Sequence, residues 1–413
     1  MPRPSLLGDR SAQLVLGIAL VASIAVAFAS SPLPRLTPDS ASYLTGAEFL
    51  AERGRFESCV GPTTLFAPGY SVAMTPFVAI GLDAPDAARV VNMLATLALV
   101  LGAGFLCRAA QLAGRVSVIV ALATAVSYGT LRDAALVWSE PLFCAILVWL
   151  LALALDRGHG LDARLSARLV GVVLLSWALL LTRHSGVFVL PALVLATWIG
   201  SSTMPRRPAR VLSLSVALVA APALWWARNV RIDGDPFGRR SESRFTLLEV
   251  LEQLPNGLSS LALPSALPSA VRLLVAIPLA AAAALAWRRA EAPRLRLTVA
   301  VLTTVAVAYT TAVTLAATRT VVDPIDTRLL SPVIVPVAVL VAVGVASPRT
   351  RIERGLCGFA LAVVGAMAVL APGVVWRSHD AERTLARIPD DVSCAEWPRR
   401  YSAASVRVTA DRR

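Results

Sequence analysis

Asp39 is the first residue whose type and place suggest chemistry. An apolar run from Leu14 to Ala29 gives way to Thr37-Pro38-Asp39-Ser40-Ala41-Ser42-Tyr43. An acid just beyond a hydrophobic span is where a membrane enzyme would keep a catalytic carboxylate. An ionised carboxylate there can accept a hydroxyl proton; a plain helix-start carboxylate, favoured by the positive end of the helix, is the other reading. Tyr43 lies one turn later on the same face, as a substrate contact or as an aromatic of the interface belt. Asp133 and Glu140 bracket the turn Leu131 to Pro141, with Glu140 directly before an apolar run. Acids at membrane edges are costly unless used or paired. Arg183 stands in the tight turn Thr182-Arg183-His184-Ser185-Gly186 between two apolar segments. Its planar, two-pronged guanidinium suits a phosphate; an ion pair with Glu140 or Asp39 is the rival reading. Arg228 and Arg328 invite the same question, with snorkelling or a lipid-phosphate contact as the alternative. His184 has no neighbour at metal-ligand spacing.

The elements that must position these residues are membrane helices. The chain has 413 residues, 56% of them hydrophobic, more than a soluble domain carries. Several runs approach the roughly 20 apolar residues that cross a bilayer. The expected architecture is all-α and polytopic. It has about eleven spans: 14–30, 88–106, 116–130, 141–155, 169–182, 186–200, 211–227, 271–287, 297–317, 329–346 and 356–375. Residues 1–375 form the membrane domain and 376–413 a polar outer tail. The loops 31–87 and 228–270 are longer than connectors need to be. Thr37 as N-cap and Pro38 as first helical residue predict a juxtamembrane helix from Pro38 to Arg53.

The net charge of +13 comes entirely from arginine, since the chain has no lysine. The N-tail and every second loop carry 17 of the 39 Arg and five acids, a net +12, leaving 22 Arg against 21 acids elsewhere. That asymmetry places the N-terminus in the cytoplasm and the C-terminus outside the plasma membrane. The charge follows membrane sidedness, which argues against nucleic acid as partner. All the residues singled out above then share the outer face. Cys59 and Cys394 also fall there, where disulfides persist, and are expected to pair. There is no GxxxxGK[ST], GxSxG, HExxH or CxxC pattern. Ionisable residues crowd one face instead of mid-span, which favours an enzyme over the alternative of a lipid or polysaccharide transporter or flippase.

The order of motifs carries a resemblance: Asp39-x-x-x-Tyr43, Ala67-Pro68-Gly69-Tyr70, Ser139-Glu140-Pro141, Thr182-Arg183-His184-Ser185-Gly186, Trp226-Ala227-Arg228-Asn229 with Gly234-Asp235-Pro236, and Arg328-Leu329-Leu330-Ser331-Pro332. Together they resemble the GT-C superfamily of integral membrane glycosyltransferases, near the protein mannosyltransferase and aminoarabinose transferase branch. The resemblance implies a polyprenyl-phosphate-linked sugar donor and a lipid, glycan or protein acceptor. It implies Asp39 as the acceptor-activating carboxylate and outer arginines on the donor phosphate. It also implies a cavity shaped by the turn at Tyr70, and transfer with inversion. A divalent metal stays open. The chain departs from the pattern at Ser40, Ser71 and Leu329.

Overall fold

The computed structural model describes residues 9–31, 34–58, 61–156, 163–200, 207–264, 267–320, 324–346 and 350–383. Cys59, Cys394 and the tail from 384 onward lie outside the described residues, and with them the expected disulfide.

Helix α1 (Arg10–Ala29) starts at Asp9, whose side chain accepts from Ser11 N–H at 2.9 Å. The juxtamembrane helix α2 (Pro38–Arg53) has the expected bounds: Pro38 sits in its first turn and Gly54, at φ 65°, ends it in the left-handed conformation. Past a two-residue ribbon, Glu57–Ser58 against Gly61–Pro62, the loop forms a second helix, α3 (Gly69–Ala79). Next come α4 (Ala84–Ala109), α5 (Gly114–Val126), α6 (Tyr128–Ala134), α7 (Glu140–Leu155) and α8 (Ala163–Thr182). A 3₁₀ turn, His184–Val189, leads into α9 (Leu190–Gly200), α10 (Arg207–Asp233) and α11 (Leu247–Ser260). The chain continues through α12 (Ser269–Arg289), α13 (Pro293–Arg319), α14 (Thr327–Leu330), α15 (Ile334–Val345) and α16 (Arg351–Arg383).

Every expected span falls on a helix. Among the described residues seven helical stretches are long and apolar enough to cross a membrane, and α5 with α6, bent by 51°, makes an eighth. The other three expected spans are the shorter apolar helices Glu140–Leu155, Ala167–Thr182 and His184–Ile199. Length and composition thus mark seven or eight crossings, not the expected eleven. Helix α11 lies in the second long loop, closed by a reciprocal cap: Thr246 N–H donates to Glu249 Oε2 at 2.7 Å and Glu249 N–H to Thr246 Oγ1 at 3.4 Å. Val250 is buried while Leu247, Leu248 and Leu251 are exposed, the pattern of a helix resting on a membrane surface.

Helix α4 packs against α1, α5 and α7, and α12 against α15. The main apolar core runs through α4, α5, α7, α8, α9, α13 and α15. A second core joins α2 and α3 to α4 through Tyr43, Leu44, Tyr70, Met74 and Val91. That second core fixes Asp39, at the head of α2, to the membrane bundle.

Ion pairs sort the loops into two sets. Asp9–Arg108, Asp156–Arg294 and Arg289–Glu353 each join two segments expected on the cytoplasmic side. Asp39–Arg328, Glu140–Arg328, Glu140–Arg183 and Arg132–Asp326 join segments expected on the opposite side. Among the described residues no ion pair crosses between the sets, as alternating spans require.

Candidate active site

The chain before α2 is held by side chains of its neighbours. Thr37 N–H donates to Ser40 Oγ at 2.8 Å, and Ser40 Oγ donates to Val137 O at 3.1 Å. Trp138 Nε1–H donates to Thr37 Oγ1 at 2.9 Å. These bonds set the start of α2 against the turn before α7, so that Asp39 and Glu140 approach the same guanidinium.

That guanidinium is Arg328. Its backbone is fixed by Asp326, whose Oδ1 accepts from Arg328 N–H at 2.9 Å and whose Oδ2 accepts from Arg132 Nη1 at 2.9 Å. The Arg328 side chain donates through Nη2 to Asp39 Oδ2 and through Nε to Glu140 Oε1. It lies over the Trp138 ring, 4.5 Å from the centroid, a cation–π contact. Arg183 meets Glu140 Oε1 from the other side and donates to Ser139 Oγ at 3.1 Å. Ser139 in turn shares a 3.1 Å hydrogen bond with Tyr43 OH. Two carboxylates and two guanidiniums, from α2, α7, the residue just after α8, and α14, form one network.

The four members differ in access. Glu140 is 1% exposed, whereas the Asp39 side chain is 29% exposed. Asp39, Tyr43, Arg183 and Arg328 line a cavity of about 550 Å³; Glu140 stands behind them and does not. The expectation that Glu140 takes part in chemistry is corrected on that ground: it touches the cavity only through the guanidiniums it holds. The ion pair with Glu140, not a free guanidinium, is what the structure gives Arg183.

The far wall of the cavity holds residues the sequence reading passed over. Arg239 and Arg240 line it, together with Phe237, His184 and Tyr309. Arg240 is exposed and, among the described residues, makes no hydrogen bond or ion pair. Partial desolvation, then the nearby Arg183 and Arg328, lower its guanidinium from the ordinary value, with Asp39 opposing them; an arginine starts so high that it keeps its charge. Gly238 places this loop. At φ 82°, and with a Cβ that would fall 2.5 Å from Leu65 Cα, no side chain fits there. Nothing in the charge-rich run 231–244 could have marked Arg240 over Arg231, Arg239 and Arg244.

Three further expectations resolve differently. Tyr70 is buried, donates to Asn92 Oδ1 at 2.9 Å and meets the Tyr43 ring edge-on at 5.2 Å, so it braces Tyr43 without lining the cavity. The turn before it still shapes the site: a Cβ on Gly69 would lie 2.7 Å from Leu181 O, so only glycine lets α3 press on the end of α8, next to Arg183. Arg228 is not on the cavity wall. Its guanidinium donates to Thr63 O at 3.0 Å and Phe56 O at 3.4 Å, 4.3 Å from the Trp225 centroid, tying the first outer loop to α10. Asp133 is 2% exposed and also off the main cavity.

A divalent ion finds no ready place here. Among the described residues no three His, Cys, Asp or Glu side chains gather as metal ligands. Arg328 cross-links Asp39 and Glu140 through its guanidinium.

No protein-family model matches the chain, and no curated protein matches it in sequence. Solved structures do match in fold. ArnT from Cupriavidus metallidurans bound to undecaprenyl phosphate superposes with a TM-score of 0.62 at 16% identity, over 96% of this chain and 70% of that one. The apo state of the same protein gives 0.61 at 17% identity, over 94% and 68%. The oligosaccharyltransferase of Archaeoglobus fulgidus, in complex with zinc and sulfate, gives 0.53 at 15% identity, over 94% and 56%. At such identities the likeness is one of fold: the chain has the polytopic GT-C fold of these membrane glycosyltransferases.

Proposed function

We propose that on this fold the chain transfers a sugar from a polyprenyl-phosphate donor to an acceptor hydroxyl, on the outer face of the plasma membrane and with inversion. The observation that carries the reading is the wall of the cavity. Half-buried Asp39 lines it together with Arg240, a cation that makes no hydrogen bond or ion pair among the described residues; Asp235 lines it too, its Oδ1 accepting from Phe237 N–H at 2.7 Å. The undecaprenyl phosphate bound to ArnT, on the same fold, supports a donor of that class. The arginine asymmetry supports the outer face.

The chemistry follows from the residues that line the cavity. The acceptor oxygen attacks the anomeric carbon as Asp39 takes its proton. The bond from the anomeric carbon to the phosphate oxygen breaks, and polyprenyl phosphate leaves carrying the electron pair. Arg240 meets the charge that develops on the leaving phosphate, with Arg328 and Arg183 alongside. Glu140 keeps those two guanidiniums in register. Asp39 uses only Oδ2 for Arg328, so Oδ1 is the oxygen that receives the proton.

Purified protein in liposomes, given a panel of labelled polyprenyl-phosphate sugars, is expected to release polyprenyl phosphate and label a hydroxyl acceptor. Absence of turnover across donor and acceptor panels would count against the reading. A chelator is expected to leave the rate unchanged, because Arg328 already bridges the carboxylates; a rate restored only by added metal would contradict this.

Arg240→Gln is expected to weaken polyprenyl-phosphate binding about ten- to a hundredfold, the worth of one charge-assisted contact. The melting temperature should not move, since the side chain holds nothing else. Equilibrium binding and thermal unfolding on one purified variant check both. Undiminished affinity would return the phosphate to Arg183.

A further inference from the structure

Behind Glu140 lies a second, small cavity of about 10 Å³, whose lining includes Asp133, Glu140, Thr130, Cys144 and Ser331. It has room for one water. The polar atoms facing this region are unusual. Neither carboxylate oxygen of Asp133 has a hydrogen-bond partner, and neither does Glu140 Oε2. Asp133 is 2% exposed and Glu140 1%. Buried acceptors are almost always paired, so three orphans around a water-sized space call for an occupant.

The charges around it identify what is missing. Asp39 and Glu140 are matched by Arg183 and Arg328, and Asp326 is matched by Arg132. Asp133 is the one carboxylate of the group left over. The cations near Asp133 are already paired, Arg132 with Asp326 and Arg328 with Asp39 and Glu140, and a buried ionised carboxylate with no donor of its own takes up a proton instead. A proton also supplies the donor the site lacks. Ser331 Oγ already donates to Arg328 O at 3.0 Å, while Thr130 Oγ1, accepting from Ser127 Oγ at 2.8 Å, still has its own proton to give.

We propose that Asp133 is a neutral carboxylic acid that holds Glu140 Oε2 through one water. Asp133 donates to the water, and the water donates to Glu140 Oε2. Asp133 is then a positioning residue, acting on the cavity through Glu140 and the two guanidiniums at Oε1. A neutral Asp133 adds no fifth charge to the network in which Asp39 and Glu140 meet Arg183 and Arg328.

The test needs neither donor nor acceptor, so its outcome is independent of the transferase reading. Infrared spectra of the whole protein in liposomes, wild type against Asp133→Asn, are expected to differ by one carboxylic-acid carbonyl band that shifts in D₂O. Asp133→Asn keeps the shape and a donor, and should melt with wild type. Asp133→Leu removes the donor and should melt several degrees lower. A wild-type spectrum without an Asp133-dependent acid band would overturn the proposal. So would an Asn variant as unstable as the Leu variant, or one that does not fold, because the site would then require a charge and with it a bound cation.

Discussion

Asp39→Asn is expected to lower sugar transfer by about 10²–10⁴-fold, the usual contribution of a positioned general base. The amide keeps the volume and can still accept from Arg328, but it cannot take the acceptor's proton. Fold and abundance should hold, because Thr37, Ser40 and Pro38 secure the start of α2 without Asp39. Donor binding should hold as well, since the phosphate contact is assigned to Arg240. Initial rates at saturating donor, with binding measured on the same preparation, check the separation. Near-normal turnover would remove Asp39 from the chemistry, and lost donor binding would make it a binding residue.

The second large effect concerns stability. Arg328→Met is expected to destabilise the protein by about 3–5 kcal/mol, the range found when one partner of a buried ion pair is removed. The side chain of Arg328 is 8% exposed and serves both Asp39 and Glu140, so its loss leaves Glu140 with Arg183 and Asp39 with no ion pair among the described residues. Arg328→Lys should recover only part of the loss, because an ammonium cannot reproduce the fork that spans two carboxylates. Adding Asp39→Asn to Arg328→Met should raise the melting temperature above that of Arg328→Met alone, since the carboxylate that lost its partner is removed. Additive losses in the double variant would mean that the two residues act independently and that the network has been misassigned.

The sequence foretold the helices better than the contacts between them. Each expected apolar run falls on a helix, though only seven or eight are long and apolar enough to cross a membrane, because burial in hydrocarbon leaves a composition signal that needs no knowledge of neighbours. Helix α2 was legible to the residue because its ends are local: Thr37 and Pro38 open it and Gly54 closes it. Arginine counts sorted the loops onto two sides, and the ion pairs follow the same division. What was hidden is pairing across distance. Arg328 and Asp39 are 289 residues apart, and no local pattern says which of several outer arginines meets which acid. Arg228 shows the cost: its surroundings in sequence match those of a phosphate ligand, yet its guanidinium is used on the carbonyls of Phe56 and Thr63. Arg240 was missed for the converse reason, since what distinguishes it is a lack of partners. Tyr70 was drawn towards the cavity by its motif, but Asn92, 22 residues on, supplies a buried acceptor for its hydroxyl.

The central claim is direct displacement at the cavity with Asp39 as the base. It is tested most directly by the anomeric configuration of the product, read by NMR after transfer from a donor of known configuration. Inversion, lost together with turnover in Asp39→Asn, is the expected result. Retention of configuration would contradict it, because retention requires a second displacement from a covalent or equivalent intermediate.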